Sequence, residues 1–487
     1  MQLNICGPSY QLPSMDINYQ RCVNMFPTSP GPDGRGGKAV LFPTAGLDLL
    51  IDLGSSEVRN LITVGDYVYA TVGTGIYKLT INYVTKTATS SLIGSMTSST
   101  GAVYSAANPT QIMWVDGSTK GYIYTIATGV FEEISSVDAD FPGGSSVVFI
   151  GSYFVVSQPN TGKFFTSDSN DGRVWDPLDV ATAESNTDNI VGLGVVKGEL
   201  WVLGERSTEI WYNAANATGS PFSARTGLEM QIGCGAARSI AKINDLLIWL
   251  DNRGFIVQSA PSAFIRSNNS GYDLKIVSDE AITTEILSYS RRDDAVAMSY
   301  NDRGHLMYQI TFPSAKKTWV YDFTTGAWHE RAWFSAYTGV LEHHLGQFFA
   351  QYESLSLMAG IRDGKIYLSS ENYLNDNDVS IRRIRTTPIQ YDKDLFRYVG
   401  INRLELRLGI GDSTLTAPKI TMRYSHDGGH TWSDHLVRDL GAVGEYAKRV
   451  IWNRLGSGSE WIFEFTIVED MPFTIIDGTV NVTELES

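Results

Sequence analysis

Residues whose types and spacing could do chemistry are few in this chain. The sharpest pattern is Ser425-His-Asp-Gly-Gly-His-Thr-Trp432. There the Asp427 carboxylate can accept turn N–H groups while Trp432 buries its ring between strands, which is structural chemistry. Glycoside hydrolysis would need an arginine cluster and a nucleophile pair, and no spacing singles these out. His343-His344 and His426/His430 could ligate a metal, but no cysteine or paired carboxylate stands near, so they read as surface or turn histidines. Asp168, Asn170 and Asp171 could hold a cation loosely, and a hydrogen-bonded turn explains them as well. Gly36-Gly37-Lys38 lacks the Ser/Thr and spacing of a phosphate loop, Gly192-x-Gly194 does not precede a helix, and no Gly-x-Ser-x-Gly elbow occurs. The sequence points to a non-enzyme, with no catalytic residue, cofactor or metal assigned.

Charge gives a different kind of candidate. The 487 residues carry a formal charge of −15, which argues against gripping nucleic acid by counterion release. Against this balance, Ile381–Leu408 holds Arg382, Arg383, Arg385, Lys393, Arg397, Arg403 and Arg407 with only Asp392, Asp394 and Glu405. Such a run can face an acidic partner or DNA, or it can be a solvated strand face. Arg382, Arg383, Arg385 and Arg397 are the candidate interface residues. On that reading, glutamate at the first three leaves the melting temperature unchanged. Three cysteines make no disulfide framework, and no leader or membrane-spanning apolar run is evident. These features suggest no membrane insertion and folding in a reducing cytoplasm.

The elements that must position these residues are short strands. Paired apolar runs recur about every 40–55 residues: 67–72 with 75–79, 111–115 with 122–126, 153–157 with 163–166, 199–203 with 209–212, 246–250 with 255–257, 305–311 with 318–323, and 347–350 with 365–368. This spacing predicts an all-β chain: a β-propeller of about seven blades, six to eight being possible, over residues 58–372. Several blades end in a turn followed by an aromatic, as at Trp175 and Trp328. Glu209 and Trp211 sit two apart on one strand and therefore share a face, a structural pair. The small-residue run Gly233–Ala237 around Cys234 implies close backbone approach. Residues 1–57 read as an extended arm with an entry strand, and Ser278 as the N-cap of one short helix over 278–287. A polar linker at Asn372–Asp378 precedes a C-terminal β-sandwich, 373–487.

Several of these motifs carry a resemblance. Gly-x-x-Ser/Thr-x-Glu-x-Trp (Gly204–Trp211), the following Pro221-Phe222, Gly233-Cys-Gly-Ala-Ala-Arg-Ser-Ile240, Trp249-Leu250 and the late Lys448-Arg-Val-Ile-Trp452 resemble the packaged-DNA stabilisation, or tail hub (nozzle), proteins of short-tailed bacteriophages. The entry segment, with Asn24-Met-Phe-Pro27 and Phe42-Pro-Thr-Ala-Gly-Leu47, is similar too. The resemblance implies a structural virion protein in the tail, assembled in the host cytoplasm as a ring, a homohexamer. It implies as partners the portal or adaptor ring, a tailspike or tail fibre, a tail needle or plug, and double-stranded DNA passing without sequence recognition. Ser425–Trp432 also resembles the Asp-box of sialidases and other sugar-active propellers. The alternative is accordingly an Asp-box or kelch-like propeller glycosidase or carbohydrate-binding protein.

Overall fold

The computed structural model describes residues 2–11, 19–28, 39–137, 139–184, 186–266, 269–390, 398–410, 415–441, 444–445 and 448–484. Six four-stranded antiparallel units follow in order. They span 58–95, 104–134, 146–182, 190–224, 241–276 and 296–330. The seventh consists of Phe348–Tyr352, Leu355–Ala359 and Lys365–Ser370, completed by Gly46–Asp52 from near the N-terminus. The first strands of neighbouring units pack together around an axis, so the seven units are the blades of a propeller. Tight loops make the blades possible; Gly73 at φ +54 opens the two-residue link between Tyr67–Val72 and Gly75–Asn82.

Among the described residues no blade has a core of its own. Instead, seven hydrophobic clusters each lie between two blades. Tyr69 and Trp114 meet between blades one and two, Trp201 and Trp249 between four and five, and Val58 and Leu357 between one and seven. The pair 347–350 and 365–368 expected for the last blade is separated by the intervening strand Leu355–Ala359, and Gly46–Asp52 lies at its outer edge. Leu355–Ala359 has only five residues and no strong turn signal before it, which hid it in the sequence.

The sandwich is built from both ends of the chain. One sheet runs in the order Arg449–Gly458, Val399–Gly409, Thr474–Glu484, Val40–Pro43, Met25–Thr28, with Gln2–Leu3 also pairing on Thr474–Glu484. The opposing sheet contains Arg383–Thr386, Ile462–Ile467, Lys419–Ser425 and Leu436–Asp439. It continues without a break into blade six, because Cys22–Val23 pairs with Arg383–Thr386 on one side and with Glu330 of Ala327–Glu330 on the other. Leu3, Ile5, Cys22, Met25 and Leu41 enter the sandwich core with Leu404, Trp452 and Phe465. The described part of the expected N-terminal arm is thus strand and core: its alternating apolar residues have a face to fill.

Three further expectations change. The helix is Glu280–Ser288 with Asp279, not Ser278, as N-cap; its side chain accepts from the Ile282 N–H at 2.8 Å. Ser278 is held instead by Thr283 and by the Ile256 N–H. Within the expected polar linker, Asn375–Asp376 pairs with Leu47, and Asp376 is buried. His343 and His344 are also buried, because they lead into the closing blade and not over the surface.

The closure leaves no room at Gly46. A Cβ there would lie 2.5 Å from the Tyr373 carbonyl oxygen and closer still to that of Asn375, both of them backbone. Gly46→Val is expected to cost about 1–3 kcal/mol, read as a lowered midpoint of thermal or denaturant unfolding. An unchanged midpoint would mean that this strand does not close the ring.

Candidate assembly interface

The basic run divides by depth. Arg385 is fully buried, and its guanidinium donates to the carbonyls of Ile5 (2.6 Å), Pro8 (2.9 Å) and Arg21 (3.3 Å) and to Gln20 Oε1 (3.1 Å). Among the described residues no carboxylate accepts from it, and burial pulls its pKa down. Arg383 is also buried, donating to the carbonyls of Leu374 (2.9 Å), Glu469 (3.1 Å) and Ile381 (3.4 Å), and burial lowers its pKa to about 10. Arg382 is half-buried with its guanidinium 3.4 Å above the Phe334 ring. Arg397 lies outside the described residues. The expectation of a surface run tolerant of glutamate is therefore corrected at Arg383 and Arg385. They alternate inward on a central strand and act as internal crosslinks, and only their spacing suggested a surface.

Arg403 and Arg407, further along, do reach solvent. On the outer face of Val399–Gly409, Glu405 accepts from Arg403 (2.7 Å) and pairs with Arg449 of the edge strand (3.2 Å). Arg407 stands directly opposite Arg449.

The other motif residues hold local structure. Trp211 Nε1 donates to Glu209 Oε2 at 2.9 Å, both side chains are buried, and the indole meets Phe164 edge-on between blades three and four. The Cys234 thiol donates to the Ala236 carbonyl at 3.2 Å, and burial pushes its pKa up to about 12. Trp452 is buried with its Nε1 on the Leu436 carbonyl, joining the two sandwich sheets. Asp427 accepts from the Thr431 N–H (2.9 Å), Thr431 Oγ1 (2.6 Å) and Ser425 Oγ (2.7 Å). Against the pull of burial, these bonds hold its carboxyl down to about 2. Trp432 Nε1 donates to the Gly429 carbonyl at 3.1 Å. Blade three repeats that last contact, with Trp175 Nε1 on the Gly172 carbonyl at 2.7 Å. Both carboxylate oxygens of Asp427 are occupied by their own turn.

Two residues that sequence reasoning passed over hold the junction of blade six, the closing strand and the sandwich. Asn24, at φ +55 and 1 % exposed, donates through Nδ2 to the carbonyls of Ala332 and Arg382, both at 2.8 Å, and accepts from the Ala332 N–H at 2.9 Å. Arg331 donates to the Ala45 carbonyl (2.6 Å) and to Tyr300 (3.3 Å). The only sequence signal was Asn24 in the Asn-Met-Phe-Pro turn. Around them lie buried titratable groups. Burial, aided by Arg331, drives the His329 pKa down to about 3, and burial likewise lowers His343 and His344. Burial raises Asp376 to about 6, partly offset by Arg331 and Arg383.

Arg385→Glu is expected to cost about 3–5 kcal/mol, since it removes four hydrogen bonds and sets a carboxylate among oxygen acceptors. Arg382→Glu should stay within about 1 kcal/mol, with both read from unfolding midpoints. The histidines set a pH dependence. Between about 6.5 and about 3 the unfolded chain binds a proton that buried His329 refuses, so its share of stability falls as pH drops through that window. Asp376 acts oppositely, its raised pKa costing stability as pH rises from about 4 to about 6. Denaturant unfolding at pH 7 and pH 4.5 should show acid loss that His329→Leu reduces; an equal loss in the variant would show that His329 does not carry it.

Two family profiles match the chain: "Bacteriophage P22 Gp10, beta-propeller" over residues 1–369 and "Bacteriophage P22 Gp10, beta-sandwich" over residues 381–483. No curated protein sequence matches. Among solved structures, the propeller domain of Cps50 (Swd1) from Myceliophteria thermophila is similar at 7% identity, with a TM-score of 0.44 over 66% of this chain and 99% of that one. The WD40 propeller domain of Doa1 is similar at 8% identity, with a TM-score of 0.41 over 67% and 97%.

Proposed function

Because the chain belongs to the bacteriophage P22 Gp10 family of structural phage tail proteins, we propose that it forms a ring, a homohexamer, below the portal and its adaptor. The ring continues the DNA channel, retains packaged DNA, and anchors tailspikes or fibres. A tail needle or plug closes the channel, assembly takes place in the host cytoplasm, and the chain carries out no catalysis.

The observation that carries this reading is the match of both domains, propeller and sandwich, to one tail family across the chain. Two physical features support it. A charge of −15 avoids the tight, salt-dependent hold on DNA that a basic wall would create, so a retained duplex can still slide out. A sheet that runs from blade six into the sandwich lets a subunit bear load between rings without an interdomain hinge. The test is to make particles without this protein. Heads should fill with DNA, lose it, and gain no spikes or fibres until purified protein is added back. Heads that keep their DNA and acquire complete tails without it would overturn the proposal.

A further inference from the structure

Charge is segregated along this chain. Residues 381–483 contain 13 Lys and Arg against 13 Asp and Glu, so the sandwich region is neutral and the whole net negative charge lies in the rest. Within the sandwich, several arginines collect on one open sheet face. Leu404 and Leu406 of Val399–Gly409 point into the core, so Arg403, Glu405 and Arg407 point outward. Arg449 on the edge strand faces Arg407 directly, a like-charge cross-strand pair that costs stability. Glu405 serves both Arg403 and Arg449. On the other side of Arg407 stands Asp477, whose carboxylate already accepts from Gln2 and from the Gly478 N–H. Arg454 is exposed at a bulge of the same edge strand, at φ +60. Tyr398, 62 % exposed, begins this face.

A surface of opposite character lies on blade three. Its outermost strand, Asp171–Thr182, is the longest propeller strand among the described residues, and no described strand pairs with its outer side. It exposes Val174 and Leu178, the latter 75 % exposed, beside Asp176 and Asp179. Partial burial raises the Asp179 pKa, and the nearby Asp176 and Asp168 carboxylates raise it further. None of the three forms an ion pair among the described residues. Pro177 keeps this edge from extending its ladder, so association here must run through side chains.

We propose that the arginine face of one copy, with Arg407 and Arg449 at its centre, docks on the acidic outer strand of blade three of a second copy. The inference rests on the self-association proposed above and assigns it a surface. The two patches differ, so the contact is heterologous, and repeated head-to-tail it closes a ring in place of a twofold dimer. Charge complementarity selects this occupant over DNA: the chain itself supplies an acidic patch with exposed apolar residues beside it, and like-charge crowding on each patch is relieved by the other.

The experiment is light scattering and sedimentation of the full chain over a salt series. Wild type should associate at low salt and weaken by at least about tenfold toward 1 M, where screening is nearly complete. R407E/R449E should stay folded and be monomeric, as should D168K/D176K, and an equimolar mixture of the two variants should re-associate into assemblies in which the variants alternate, through the reversed face pair and the native one in turn. If wild type associates and R407E/R449E does so equally, this interface is overturned while the ring reading stands. If that variant associates normally but loses a salt-sensitive affinity for duplex DNA, the face is a DNA contact and the inference is overturned as well. A wild type that stays monomeric at every salt and concentration overturns both.

Discussion

The structure depends on buried guanidinium and amide groups that spend their hydrogen bonds on backbone carbonyls. Arg385, Arg383, Arg331 and Asn24 reach oxygens from residues 5, 8, 21, 45, 332, 374, 381, 382 and 469. All of those carbonyls but that of Ala332 belong to segments between strands, and that of Arg21 also accepts the Thr386 N–H. An unmade bond to each would cost about 1–3 kcal/mol. One planar side chain with five donors satisfies several at once, which is why arginine and not lysine occupies these positions. A buried guanidinium bonded to neutral carbonyls is still desolvated, and burial lowers the pKa of Arg383 and Arg385 accordingly. These residues join segments hundreds of positions apart and make the propeller and sandwich one body.

That constraint explains the route of the chain. The N-terminal residues build sandwich strands, Gly46–Asp52 closes the last blade, and the chain returns to the sandwich only after seven blades. The ring is closed by a strand whose preceding segment is fixed in the other domain. Neither domain completes its hydrogen bonding alone: blade six passes into the sandwich sheet through the two-residue strand Cys22–Val23. The buried histidines and Asp376 fall at the same junction, where burial displaces both kinds of titratable group from their ordinary values.

Much of this was legible in the sequence wherever the governing physics is local. Strand pairs such as Glu199–Gly204 and Thr208–Asn213 announce themselves by apolar runs between turn residues, and the turn around Asp427 by its spacing. Residues joined only by tertiary structure could not be read that way. Arg383 and Arg385 look like a basic surface because charge is usually solvated, and nothing local reveals the carbonyls of residues 5 and 374 waiting for them. Asp376 sat in a polar, turn-rich segment whose burial follows from pairing with Leu47, more than 300 residues earlier. The closing role of Gly46–Asp52, which the sequence offered only as part of an entry segment, was hidden for the same reason.

The internal use of polar groups also bears on where function can reside. Asp427, Asp322 and Asp251 each hold their own turn. Asp427 binds Thr431, Asp322 accepts from the Thr324 N–H and from Thr325 Oγ1, and Asp251 accepts from the N–H groups of Arg253 and Phe255. His305 hydrogen-bonds Asp322 at 2.7 Å within the same packed region. Groups so engaged are held by short-range bonds, and a ligand could reach them only by breaking the turns they hold. A chain that uses its carboxylates and histidines this way keeps its capacity for interaction on the outer faces of its sheets. There, charge and exposed apolar residues can be matched by another surface without altering the fold beneath them.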